Sequence, residues 1–348
     1  MKMKRMKRMK KNFNYCLFFT IAVIALHVSA TAQDLHFSQY FNSPLLINPA
    51  NTGFIPDGDY RVGINYRKQW ANIGNPYKTF SAFGDGQLFG DRLENGWVGI
   101  GGALLRDVAG SGNLTTTRAF GSVAYHQAVG LGSLVSAGFN VGYINKRIDL
   151  SKLTFDNQWN GKFFDITAPT GEAFATNQVS YFSLQAGVNY AYYPNENTYL
   201  NVGFSASNIN RPDESFFSPG IIDTRVPMRF TTFLNGSLRA GDAWIVNPNI
   251  YVSKVSTATE IVAGGNAQRK LNEGGSTQMI LGAYYRVNDA VIPMVGFQQN
   301  GYKFTFSYDA TVSSLRNYNQ TRGAYEMSIT KQGLIDPSRD IKCPAVRF

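Results

Sequence analysis

The chain has 348 residues, of which 44% are hydrophobic and 14% aromatic, and it carries 33 basic and 23 acidic side chains, a formal net charge of +10. Seven of the basic residues and none of the acidic ones lie within residues 1–32, which leaves 26 basic against 23 acidic side chains, a net charge of +3, in the rest of the chain. Because the surplus charge is confined to the first residues, the composition argues against a nucleic-acid-binding protein.

The first 32 residues have the three-part pattern of a secretory signal peptide. A basic stretch that ends at Lys11 is followed by a mostly apolar run from Tyr15 to Val28 and by the small residues Ala30-Thr31-Ala32. The apolar run is shorter than the roughly 20 residues that a membrane-spanning helix needs, so we favour cleavage over anchoring. The mature chain is then expected to begin at Gln33. Cys16 lies inside the apolar run, so no lipid anchor is expected.

Residues 33–59 form the next segment, which contains three prolines, Pro44, Pro49 and Pro56. Proline cannot donate a hydrogen bond to a β-ladder, so this segment is expected to precede the sheet as an ordered periplasmic tether or as a plug. Asp57-Gly58-Asp59 lacks the further ligands of a calcium-binding EF-hand loop, and we interpret it as a turn.

From residue 60 onward the chain alternates between apolar and polar residues, most clearly over residues 302–309. Successive side chains of a strand point to opposite faces, so each such segment separates an apolar phase from a polar one. The predicted strands cover residues 60–67, 77–87, 96–106, 114–127, 131–147, 178–193, 198–208, 226–240, 243–255, 258–269, 277–288, 290–299, 301–311 and 321–332.

An even number of strands, 34 glycines and no apolar run long enough for a membrane helix predict an all-β fold, a transmembrane antiparallel β-barrel of about 14 strands over residues 60–332. Outer-membrane barrels have short periplasmic turns and longer outside loops, and the long loops are expected at 148–177 and 209–225. The predicted outside connections near Ser256 and Asn288 are short, which departs from this rule. The strand register between residues 255 and 300 therefore stays open.

A soluble β-sandwich is the alternative fold. We favour the barrel because small and polar residues occupy the inward faces, for instance Gly282, Arg286 and Asn288. Aromatic residues near the turn at 194 are expected to form part of an interfacial girdle. They are Tyr190, Tyr192, Tyr193 and Tyr199.

Motifs of catalysis or metal binding are missing from the sequence. His36 and His126 are far apart, and no nucleophile elbow, P-loop or zinc-protease helix occurs, so we expect neither an enzyme nor a metal or cofactor site. The glycines of residues 99–102 are interpreted as making room in a curved barrel wall. Cys343 is the one cysteine after residue 32, and it lies in the predicted C-terminal periplasmic tail, 333–348. Three interpretations stay open: an intermolecular disulfide partner, a buried free thiol, or a residue without a role.

The segment that follows the signal peptide resembles the opening of the PorP/SprF family of the type IX secretion system in Bacteroidetes. The matching residues are Ser38-Gln39-Tyr40, Asn42-Ser43-Pro44-Leu45, Asn48-Pro49-Ala50 and Gly53. Later stretches also resemble this family, at Tyr66-Arg67, Gln69-Trp70, Phe306-Ser307-Tyr308-Asp309 and the closing strand from Gly323 to Ile329. The final residues Cys343 to Phe348 depart from the C-P-R-F ending of the family.

The resemblance implies a multi-pass protein of the bacterial outer membrane that works with secretion or gliding-motility machinery. It implies as partners the outer-membrane lipid, other type IX secretion components and a cargo with a type IX C-terminal signal domain, such as a large adhesin. The candidate partner-docking residues are Ser38, Gln39, Tyr40, Asn42, Asn48, Pro49, Ala50 and Gly53. The alternative function is a 14-stranded outer-membrane channel for small or hydrophobic solutes.

Overall fold

The computed structural model describes residues 37–56, 58–71, 74–90, 93–130, 132–217, 223–272 and 276–335. The expected signal peptide, His36, Asp57 and Cys343 lie outside the described residues. No helix within these ranges is long and apolar enough to cross a membrane.

The described chain forms one closed antiparallel barrel, in which every strand pairs with its sequence neighbours and the first strand pairs with the last. The sequence analysis predicted an antiparallel barrel of about 14 strands, and this prediction is confirmed. The strands are β1 (Tyr60–Gln69), β2 (Tyr77–Leu88), β3 (Gly96–Ala109), β4 (Leu114–Ala128), β5 (Ser133–Arg147), β6 (Gln178–Asn195), β7 (Thr198–Ser207), β8 (Arg229–Ala240), β9 (Trp244–Val255), β10 (Ala258–Lys270), β11 (Thr277–Arg286), β12 (Ala290–Gln299), β13 (Tyr302–Thr311) and β14 (Arg322–Gly333).

The barrel wall is apolar outside and polar inside. In β1, for example, Val62 and Ile64 are 47% and 45% exposed, whereas Asn65 and Arg67 are buried. Apolar side chains are therefore turned towards the surroundings and polar ones towards the interior, the reverse of a soluble protein. This distribution is stable when lipid surrounds the barrel.

The two ends of the barrel differ. Long connections, residues 148–177 and 208–228, lie at one end, which we call the long-loop end, and mostly short turns lie at the other, the short-turn end. The register left open between 255 and 300 follows the same neighbour pairing, with Val255 opposite Ala258 and Arg286 opposite Ala290.

Two details of the predicted wall were wrong. Asn288 lies in the tight β11–β12 turn with a φ of 59° and not on an inward strand position. Tyr190 and Tyr192 face outward as expected, but Tyr193 is buried with Trp97 and Phe54, and Tyr199 packs against the same buried cluster. Tyr193 follows an outward residue, so strand alternation turns its ring into the barrel.

Residues 37–56 lie inside the barrel, and we call them the luminal segment. The segment contains three short helical turns, Tyr40–Asn42, Pro44–Ile47 and Pro49–Asn51, the last two with proline at their first position. Proline has no N–H to donate and a backbone angle suited to a helix start, so it fits this position. Hydrogen bonds join the segment to inward side chains of β13, β6, β7 and β4, which lie on different sides of the wall.

The luminal segment spans the height of the barrel. Ser38 contacts Arg286, the last residue of β11, and Asp309, which lies close to the end of β13, both at the long-loop end. The carbonyl of Ile55 accepts a hydrogen bond from Gln87, near the end of β2 at the short-turn end. The chain therefore descends through the lumen before it enters β1.

Candidate functional site

A cluster of four buried charges holds the start of the luminal segment. It consists of Arg67, Arg286, Asp309 and Glu326, and we call it the ionic cluster. The Arg67 Nη2 and Asp309 Oδ2 atoms are 2.9 Å apart, and the Arg286 Nη1 atom is 3.1 Å from the same Asp309 oxygen. Arg286 also pairs with the partly exposed carboxylates of Asp289 (2.9 Å) and Glu260 (3.2 Å), so both buried arginines have acidic partners.

The ionic cluster binds the backbone and the hydroxyl of the luminal segment directly. The two carboxylate oxygens of Glu326 accept hydrogen bonds from the amides of Ser38 (2.8 Å) and Gln39 (2.9 Å). The Ser38 hydroxyl donates to Asp309 and accepts from both arginines. Hydrogen bonds with ionised partners are the stronger kind, so this end of the segment is firmly fixed.

A second group of contacts extends this attachment along β13. The Gln39 side chain donates to the Ser307 hydroxyl at 2.9 Å and accepts from Thr305. The Asn42 amide donates to Gln39 and to Thr305, at 2.7 and 2.9 Å. Three of the predicted candidate residues, Ser38, Gln39 and Asn42, are thus brought together on β13 and β14.

The other candidate residues meet different parts of the wall. Tyr40 stacks on Tyr251 with 4.8 Å between ring centroids and donates its hydroxyl hydrogen to Asn235. Asn48 donates to the carbonyl oxygens of Val188 and Phe204, on β6 and β7.

Glycines in the wall allow the luminal backbone to approach closely. A Cβ at Gly138 would lie 2.4 Å from the carbonyl carbon of Pro49, next to Ala50, and one at Gly99 would lie 1.9 Å from the carbonyl oxygen of Thr52. We interpreted Gly99 as making room for wall curvature, but the space there is taken by the luminal segment. Gly53 donates its N–H to Asp85 at 2.8 Å.

His126 lies on β4 near the short-turn end of the lumen and is completely buried. Its Nε2 atom is 2.8 Å from the Thr52 carbonyl oxygen and its Nδ1 atom 2.7 Å from the Ser136 hydroxyl. A carbonyl oxygen can only accept, so Nε2 carries the proton and Nδ1 accepts from Ser136. Both ring nitrogens are therefore engaged in holding the luminal segment.

The long-loop end carries an exposed apolar surface on residues 159–166. Trp159, Phe163 and Ile166 are 55%, 60% and 67% exposed. The two long loops are joined by Phe174 and Phe217, whose rings stack at 4.9 Å.

Charged groups also fasten these loops. The Lys146 ammonium lies 2.6 Å from the Glu214 carboxylate, which also accepts a hydrogen bond from Tyr181. Hydrogen bonds from Arg225 hold the pKa of the Asp223 carboxyl below its usual range. The contacts of Glu214 therefore attach the described part of the 208–228 connection to β5 and β6.

In the part of the chain that the structure describes, no group of three or more His, Cys, Asp and Glu side chains is arranged to hold a metal ion. Sequence reasoning did not identify Arg67, Asp309 and Glu326 as site residues. The available signal was their position, since each is a charged residue on the inward face of an otherwise alternating strand.

Comparison with solved structures gives matches to other barrels at low identity. A mutant of the TodX monoaromatic hydrocarbon channel is 11% identical, over 83% of this chain and 92% of that chain, with a TM-score of 0.49. The Pseudomonas putida toluene transporter TodX is 10% identical, over 83% and 91%, with a TM-score of 0.49. A Pseudomonas aeruginosa FadL homologue is 11% identical, over 82% and 92%, with a TM-score of 0.44. No curated protein matches the chain.

The closed barrel with its apolar outer face defines an integral β-barrel protein of the bacterial outer membrane. A family model described as type IX secretion system membrane protein PorP/SprF matches residues 29–330. The chain belongs to this family, as the resemblance in its leading segment predicted. Family and fold are those of a membrane component of a secretion system and not of a known enzyme class.

Proposed function

We propose that the protein is a non-conducting component of the type IX secretion system, which docks a surface protein with a type IX C-terminal signal domain and helps its export. Gliding motility depends on such a step where the docked protein is a large adhesin. Other secretion components and the outer-membrane lipid are its further partners.

The observation that carries this proposal is the filled lumen. The luminal segment is bonded to strands on all sides of the wall, and its first residues are fixed by four buried charges. Removing these bonds would leave charges and amides buried without partners, which is costly. A folded or extended cargo would have to displace the segment to pass, so binding at the barrel surface is the better supported role.

The docking surface of this proposal lies at the long-loop end. Outer-membrane barrels place their longer loops outside the cell, where a surface protein would be held. Large apolar side chains that are exposed to water often mark interaction sites, and Trp159, Phe163 and Ile166 are three such residues within one loop.

The candidate docking residues of the luminal segment have a different place in this proposal. Ser38, Gln39 and Asn48 are buried, and their polar side-chain atoms are bonded to the wall. We assign to the segment the role of blocking the lumen and of setting the shape of the barrel. Direct docking by these side chains stays a prediction.

An export assay in cells tests the proposal. The double variant Phe163→Ser, Ile166→Ser is compared with Lys162→Ser, a control in the same exposed loop. We expect the double variant to insert into the outer membrane at normal levels but to export less of the signal-bearing protein, and to retain less of it on co-purification. Normal export and co-purification in the double variant would contradict a docking surface on this loop.

A further inference from the structure

A cavity of about 210 Å³ remains inside the barrel beside the luminal segment. Phe41, Asn42 and Pro44 of the segment form one side of it, and inward residues of the barrel wall form the other. The lining includes Gly301, in the β12–β13 turn, so the cavity reaches the short-turn end.

The wall of this cavity is rich in carboxamides. Gln268, Gln278, Gln298, Gln332 and Asn247 all contribute to the lining, and none of the described lining residues is an Asp or a Glu. Strand pairing arranges part of this wall as a row, because Gln278 lies opposite Gln298, Gln298 opposite Lys303, and Lys303 opposite Thr330. Carboxamides donate and accept hydrogen bonds, so the row suits a polar ligand with both kinds of group.

Lys303 supplies the charge of the cavity. Its ammonium lies 6.0 Å from the centre of the Phe41 ring, and it makes no ion pair within the described part of the chain. Arg61 also lines the cavity, but its guanidinium is 2.7 Å from the Asp85 carboxylate. Among the residues that the structure describes, the cavity therefore holds one positive charge without an acidic partner.

We propose that this cavity is a binding site for a small monocarboxylate that carries hydroxyl or amide groups elsewhere in the molecule. The carboxylate would pair with the Lys303 ammonium, and the carboxamide of Gln298 would bind a further polar group. A single uncompensated ammonium matches one negative charge, whereas a phosphate dianion would bring a second charge without a partner.

The ligand would contact the wall and the luminal segment together. Lys303 belongs to β13, and Phe41 and Asn42 belong to the segment, so an occupied site links the two. Two sources of this chemistry exist, a free sugar acid and the terminal carboxylate of a peptide chain.

Isothermal titration calorimetry with the full-length chain in detergent tests the site. The probes are sodium gluconate with uncharged sorbitol as its control, and N-acetylglycylglycine with its C-terminal amide as the control. We expect the two carboxylates to bind and the two neutral compounds to show no binding at millimolar concentration. Tighter binding of gluconate would identify a free acid as the ligand class, and tighter binding of the peptide would identify a chain terminus.

Variants decide whether Lys303 carries the binding. Lys303→Gln keeps a polar side chain and is expected to weaken carboxylate binding at least tenfold, while Lys303→Arg keeps part of it. Lys254→Gln, at an exposed position outside the cavity, should bind like the original chain. The proposal is overturned if no carboxylate binds, if Lys303→Gln binds as well as the original chain, or if inorganic phosphate binds more tightly than both carboxylates.

Discussion

Arg67 on β1 and Asp309 on β13 form an ion pair of 2.9 Å across β14, the strand that lies between them. Glu326 is the residue of β14 directly opposite Arg67, and its carboxylate accepts the amides of Ser38 and Gln39. Three strands and the luminal segment thus meet in one buried network. The ion pairs that join these three strands therefore also hold the luminal segment.

Removing one acid from this network should loosen the segment. Asp309→Asn removes the carboxylate that both arginines share, while Arg67 keeps Glu326 and Arg286 keeps Asp289 as partners. The cost is therefore expected to be below the roughly 3–5 kcal/mol of a buried charge left without any partner. We expect a lower midpoint of thermal unfolding in detergent and faster proteolysis within residues 37–56. Asp149→Asn, at an exposed loop position, is the control and should change neither. Equal midpoints for the two variants would contradict the role of the ionic cluster.

The close approach at Gly138 gives a second prediction. Gly138→Ala places a methyl group 2.4 Å from the Pro49 backbone, so the luminal segment or β5 must shift, and overpacking of this kind costs about 1–3 kcal/mol. The matched control is Gly121→Ala, because a Cβ at Gly121 meets nothing within 4 Å. Thermal unfolding of both variants measures the difference, and a stable Gly138→Ala protein would show that the segment is not packed against β5.

Asn48 tests the middle of the luminal segment. Asn48→Ala removes two donated hydrogen bonds to the Val188 and Phe204 carbonyl oxygens and one accepted from Ala50. Buried groups left without partners cost about 1–3 kcal/mol, so unfolding by denaturant should begin at a lower concentration. Asn317→Ala, at an exposed position in the connection between β13 and β14, should unfold like the original chain. A similar midpoint for Asn48→Ala would mean that these bonds do not hold the segment.

Strand alternation predicted the barrel because lipid outside and polar groups inside impose a period of two on every strand. The predicted bounds of β12, 290–299, agree with the structure, and β8 was predicted to begin at 226 and begins at Arg229. Helical turns and bends follow no such period, so the sequence did not reveal the path of the luminal segment.

The contacts across the lumen could not be predicted from the sequence, for a related reason. Alternation tells which face a side chain occupies but not which residue of a distant strand it meets. Arg67 and Arg286 both face inward by this rule, yet their meeting at Ser38 depends on barrel closure and on the height of the segment. The residues at 38–53 were singled out by family resemblance, and the structure adds the wall residues that bind them.

Single-channel recording in planar lipid bilayers tests the central claim that the luminal segment blocks the lumen of the barrel. The full-length protein is compared with a variant that lacks residues 38–52, after both are shown to be inserted. We predict no steady conductance for the full-length protein and a stable open pore for the variant. A steady, solute-dependent conductance of the full-length protein, equal to that of the variant, would contradict the claim and favour a channel.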